Sequence, residues 1–168
     1  VLTGRSEVDY RTRSFAAYGL GLIGWSAGTA VKTRCFKILA EVLGDQDLVS
    51  RDLRVAAIEA IGTLAPTADA PAERLLLEQC LQLLARYYHE PLGPGDQLIQ
   101  AHAPSAIARR LGRNGPASLV NYYRGMFLNE LRNGTRESHD LYRSAVLALG
   151  QLSTPEDADQ AECREVLL

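Results

Sequence analysis

The chain of 168 residues is 46% hydrophobic and 23% charged, the balance of one ordinary globular domain or a short array. Its formal net charge of −2 argues against general polyanion binding, and no run of about 18 uncharged apolar residues offers a membrane span. Three cysteines, Cys35, Cys80 and Cys163, with no Cys-x-x-Cys spacing, make neither a disulfide framework nor a zinc site. Reduced, core-facing thiols in a cytoplasmic protein are the expectation. The opening Val1-Leu-Thr-Gly lacks a basic stretch followed by an apolar core, so it reads as an excerpt of a longer chain rather than a signal peptide.

In chain order, apolar residues at i, i+3, i+4 and i+7 predict a first helix near 8–24 and a second near 29–44, stopped by Gly44-Asp-Gln-Asp. A third helix near 51–64 carries Arg54-Val-Ala-Ala-Ile-Glu-Ala-Ile-Gly-Thr-Leu64. The segment Ala65-Pro-Thr-Ala-Asp-Ala-Pro71 then separates it from a fourth near 72–89. Gly93-Pro-Gly-Asp96 precedes a fifth near 97–112, which Pro104 should kink or restart. Asn114-Gly-Pro116, Asn133-Gly-Thr and Ser153-Thr-Pro155 introduce helices near 116–133, 138–152 and 155–167. No segment alternates with period two, so the expectation is about eight helices and no sheet.

Two phrases recur along this series. Arg13-Ser-Phe-Ala-Ala-Tyr-Gly-Leu-Gly21, Arg54-Val-Ala-Ala-Ile-Glu-Ala-Ile-Gly62 and Tyr142-Arg-Ser-Ala-Val-Leu-Ala-Leu-Gly150 each place small residues five and two positions before a glycine. An aliphatic residue stands immediately before it. Gly21 to Gly62 is 41 positions and Gly62 to Gly150 is 88, twice 44, so a degenerate copy is expected at Pro104-Ser-Ala-Ile-Ala-Arg-Arg-Leu-Gly112. Cys35-Phe-Lys-Ile-Leu-Ala-Glu-Val-Leu43, Cys80-Leu-Gln-Leu-Leu-Ala-Arg-Tyr-Tyr88 and Cys163-Arg-Glu-Val-Leu-Leu168 repeat at matching intervals. The alanines and glycines would let helix axes approach closely, and the terminal glycine suits a left-handed cap.

Antiparallel helix pairs of this length, whose second helix ends in the Ala/Leu-Gly phrase, resemble HEAT repeats. The resemblance covers nearly the whole chain, with repeat parts near 1–24, 29–65, 71–112, 115–152 and 155–168. It implies an all-α fold, a right-handed α-α superhelix, and a piece of a longer solenoid in which each pair buries its apolar face against the next. In that family an acidic turn residue six positions before the second-helix arginine often forms a ladder between repeats. Glu7 and Arg13 have that spacing, as do Glu137 and Arg143, whereas Asp47 and Arg54 are seven apart.

The residues carry no catalytic signature, and a non-enzymatic protein without cofactor or metal is expected. Iron-dependent hydroxylases of this architecture use several His-Glu dipeptides; here only His89-Glu90 occurs, at a helix end before Pro91. His102 reads as hydrogen-bonded or exposed, and His139-Asp140 as a helix opening with Asp on the dipole. Gly19-Leu-Gly21-Leu-Ile-Gly24 is followed by no Gly-Lys-Ser/Thr and reads as helix packing rather than a phosphate loop.

Since such repeats mostly serve as scaffolds, the resemblance implies a protein-interaction surface on the second helices, which line the concave face in that family. From the apolar phase, Tyr10, Arg13, Tyr18, Arg51, Arg54, Glu59, Tyr142 and Arg143 are the candidate partner-binding residues, with Thr63 beside them. Mixed charge points to a protein or peptide. A nucleic-acid-binding module is the competing reading, because Arg109-Arg110-Leu-Gly-Arg113 is basic; a structural spacer is the third. Of the pairs Tyr87-Tyr88 and Tyr122-Tyr123, one member each should be core and the other partly exposed. Trp25 falls in an expected loop and should pack over a seam between repeats. End-to-end self-association of the uncovered ends is a further expectation.

Overall fold

The computed structural model describes residues 9–45, 50–93, 95–112, 115–133 and 138–153. Among them are seven helices and no strand, one helix fewer than the sequence suggests, because the segment near 155–167 lies outside the described residues. The helices are α1 (Tyr10–Ser26), α2 (Thr29–Gly44), α3 (Arg51–Thr63) and α4 (Pro71–His89). Then come α5, in two parts (Gln97–Gln100 and His102–Leu111), α6 (Ala117–Asn133) and α7 (His139–Leu152).

Local chemistry fixes the starts. The Asp9 carboxylate accepts from the Thr12 amide at 2.9 Å, and the Ser50 hydroxyl accepts from the Leu53 amide at 3.3 Å, each satisfying an amide with no helical partner. Pro71 opens α4, where its missing N–H costs nothing. The break in α5 falls at Ala101 rather than at Pro104. Pro104 is the third residue of His102–Leu111, within the first turn, and so needs no amide partner there.

The odd-numbered helices pack in succession, α1 on α3, α3 on α5 and α5 on α7. The even-numbered helices lie against them: α2 contacts α1 and α3, α4 contacts α5, and α6 contacts α7. α2 also touches α4, and α4 meets α6 where the Tyr88 and Phe127 rings stand edge to face at 6.1 Å. The core between the two sets is aliphatic, with Leu39, Leu53, Ile58, Ile61, Leu76, Leu84 and Phe127 fully buried.

Two of the repeated glycines, Gly21 and Gly62, are contact points along the odd-numbered series, whereas a Cβ on Gly112 or Gly150 would meet nothing within 4 Å among the described residues. A Cβ on Gly21 would stand 2.8 Å from the Ala60 Cα, and one on Gly62 would stand 2.8 Å from the Ala106 Cα. Neither glycine is a left-handed cap, as the phrase suggests; both are inside helices. Among the described residues the positive φ belongs to Gly112 alone, 54° at the end of α5. These contacts also correct the register of the degenerate copy. Ala106 occupies the place of Ala60, two residues before the seam position, so Ala108 rather than Gly112 corresponds to Gly62.

Side chains of α5 close the ends of two earlier helices. The Gln100 amide donates to the carbonyls of Tyr87 at 2.9 Å and Glu90 at 2.6 Å, with Tyr88 at 3.4 Å. Arg110 donates to the carbonyls of Leu64 at 3.1 Å and Pro66 at 2.8 Å. On the other side, Lys32 of α2 and Glu73 of α4 form a buried ion pair at 3.0 Å. Glu73 also accepts from the Thr67 amide at 2.8 Å and the Thr29 hydroxyl at 2.9 Å. The Thr67 bond above all, then Lys32 and Thr29, hold its carboxyl down at about 2 against the opposing effect of burial.

Both described cysteines, Cys35 and Cys80, are buried thiols, the latter pushed up to about 12 by desolvation; Cys163 lies outside the described residues. Tyr122 is exposed and Tyr123 buried, as the spacing suggests, but Tyr87 and Tyr88 are both buried. Tyr87 turns toward Arg54 and Asp96 while Tyr88 turns toward Phe127, so neighbours cover both sides of α4 there. Trp25 is in the last turn of α1, not a loop, and is 61% exposed rather than packed over a seam.

Candidate functional site

Four of the residues expected to face a partner are on the surface of the odd-numbered series: Tyr10 and Tyr18 of α1, Arg51 of α3 and Tyr142 of α7. Arg143 of α7 is exposed as well, and Glu59 and Thr63 are half-buried. Arg13 and Arg54, expected to point outward, are instead only 6% and 8% exposed. A long guanidinium stem can fold back along an apolar seam and take its charge to an acid there. Arg54 does so, reaching Asp96 at 3.8 Å, in the turn before α5.

That ion pair joins α3 to the turn before α5. Asp47, Glu7 and Glu137, the acids expected from the spacing, all lie outside the described residues. Arg51 approaches the same Asp96 at 3.7 Å, with its side chain largely in solvent.

Between α1, α3 and the start of α5 the surface opens into a cleft of about 430 Å³. Tyr18, Asp52, Val55, Leu98, Ile99 and His102 line it, with Arg51 at its mouth. Val55 and Ile99 give it an apolar floor, and Leu98 stands 61% exposed at its edge. The volume lies in the range of pockets that hold a ligand or an anchoring side chain.

Its wall continues into a charged cluster joining α3 to α5. The Glu59 carboxylate meets the Nδ1 of His102 at 2.9 Å and accepts from the Arg109 guanidinium. Desolvation works to raise the Glu59 carboxyl, but the bonds from His102 and Arg109 outweigh it and leave it below its ordinary value. The phenol of Tyr18 is pushed up, first by burial and then by the nearby carboxylates of Glu59 and Asp52.

The sequence singles out Glu59, reads His102 as hydrogen-bonded or exposed and Arg109 as part of a basic cluster, but joins neither to Glu59, and it does not point to Asp52 or Leu98. A usable signal exists: the seam contacts join residues about 40 to 45 positions apart, which places His102 across from Glu59. The basic stretch at 109–113 is engaged within the fold wherever it is described, Arg109 on Glu59 and Arg110 on two carbonyls; Arg113 lies outside the described residues.

Two further grooves lie on the even-numbered helices. One of about 400 Å³ runs between α4 and α6, past Leu81, Ala85, Leu119 and Tyr122. The other, about 350 Å³, runs between α2 and α4, past Phe36 and Leu83. Among the described residues no helix is long and apolar enough to cross a membrane, and no group of three or more His, Cys, Asp or Glu residues is placed to hold a metal ion. No protein-family model, no curated protein and no solved structure matches the chain.

Proposed function

We propose that the chain is a run of HEAT-like repeats, wound as a right-handed α-α superhelix, that serves as a non-enzymatic scaffold for a protein or peptide. The partner lies along the face of α1, α3, α5 and α7. The observation that carries this reading is the exposure of Tyr10, Tyr18, Arg51, Tyr142 and Arg143 on the odd-numbered helices, drawn from distant stretches of sequence, with Tyr18 and Arg51 lining a cleft with an apolar floor. Exposed tyrosines and arginines are the side chains that most often anchor protein interfaces. The recurring glycine seam and the Arg54–Asp96 pair between successive helix pairs support the repeat reading. The buried thiols fit a cytoplasmic setting.

The test uses the chain as bait against a cell extract, with and without nuclease, followed by two variants. Tyr142→Ala with Arg143→Ala alters the proposed face; Leu75→Ser with Tyr122→Ala alters exposed positions of α4 and α6. A nuclease-resistant protein partner lost only with the first variant agrees with the scaffold. Partners that vanish with nuclease would move nucleic-acid binding into its place.

A further inference from the structure

The charges around the cleft are not all paired. Arg51 and Arg54 approach Asp96, and Glu59 is held by His102 and Arg109. Asp52, which lines the cleft from the first turn of α3, makes no hydrogen bond or ion pair among the described residues. The helix N-terminus favours its carboxylate but supplies no counter-ion. The open carboxylate of the cleft therefore suits a charged donor at Asp52. Tyr18 adds an aromatic ring, and Val55 and Leu98 add an apolar wall for an aliphatic stem.

We propose that this cleft takes the side chain of a lysine or arginine presented by a basic segment of the partner, its methylenes against Leu98, Val55 and the Tyr18 ring and its charged head on Asp52. The proposal rests on the reading of this face as the interaction surface and names the chemistry it selects. Positively charged segments bind in preference to acidic ones, and added salt weakens them, because the recognising pair is partly exposed.

The test is a methyl NMR titration of the whole chain with three capped tripeptides, acetyl-Ala-Arg-Ala-amide, its Lys counterpart and its Glu counterpart. The expected result is saturable shifts of the Val55, Leu98 and Ile99 methyls with the Arg and Lys peptides, and about tenfold weaker binding of the Glu peptide. Asp52→Asn, isosteric and exposed, should reduce that discrimination about fivefold without changing helical content. Leu98→Ser should weaken the Arg, Lys and Glu peptides alike. Equal binding of the Glu peptide, discrimination unchanged in Asp52→Asn, or no shifts at these methyls overturns the proposal. Such a failure leaves the interaction face standing if the captured partner still responds to Tyr142→Ala with Arg143→Ala; loss of that response sinks the face itself.

Discussion

Gly62 of α3 lies against Ala106 of α5 so closely that a Cβ at position 62 would stand 2.8 Å from the Ala106 Cα. The obstacle is backbone, which cannot swing aside as a side chain can. The same relation between Gly21 and Ala60 makes α1, α3 and α5 a series with one spacing rule.

Gly62→Ala should therefore destabilise the fold by about 1–3 kcal/mol through overpacking, although alanine is the better helix former by about 1 kcal/mol. Gly125 provides the contrast. It sits exposed within α6 with nothing near its would-be Cβ, so Gly125→Ala should stabilise by up to about 1 kcal/mol. Urea denaturation of the two variants against the parent checks the pair, and a stabilised Gly62→Ala would contradict the close approach.

The Lys32–Glu73 pair ties stability to pH. With its carboxyl held at about 2 in the fold and near 4.5 when unfolded, Glu73 contributes stability in full above about 4.5. That contribution is lost as pH falls toward 2 and amounts to about 3 kcal/mol. Acid titrations followed by circular dichroism should show the parent losing this increment and Glu73→Gln lacking it. At neutral pH, Glu73→Gln should cost about 3 kcal/mol or more, because Lys32 is left buried without its counter-ion.

Removing Gln100 tests how α5 closes α4. Gln100→Ala strips a buried donor from the carbonyls of Tyr87 and Glu90, and about 1–3 kcal/mol should be lost. Amide exchange in the last turn of α4 should rise in that variant more than in α2. A uniform rise would place the effect elsewhere.

Cys80 reports on global opening. With its thiol pushed up to about 12 and its side chain fully buried, it should resist alkylation at pH 8 in the native state. Its modification rate should track unfolding as urea is added, and rapid native-state labelling would show that the α4 core opens locally.

Much of the fold was legible in the sequence because the dominant signals are local: helical apolar spacing, turn residues between segments, and a glycine that returns at one interval. What escaped reading depends on neighbours. Gly112 does not repeat the contact of Gly62, since nothing stands within 4 Å of a Cβ there, and its positive φ answers a backbone need at the helix end instead. Arg13 and Arg54 read as surface residues by phase alone; the length of the guanidinium stem and the position of Asp96 decide otherwise for Arg54. Tyr87 joined Tyr88 in the core because the turn before α5 covers the flank that helical phase would leave open. At the cleft, Tyr18, Arg51 and Glu59 were legible from helical phase, whereas His102 and Asp52 matter only once α1, α3 and α5 stand side by side.

If the odd-numbered helices carry the interaction face, hydrogen–deuterium exchange of the chain with and without its captured partner will map it. Exchange should slow at the start of α3, in Gln97–Gln100 and the first turn after it, and along α7, with α2 and the middle of α4 unchanged. Protection concentrated on α2, α4 and α6, around Phe36, Leu83 and Tyr122, would contradict it.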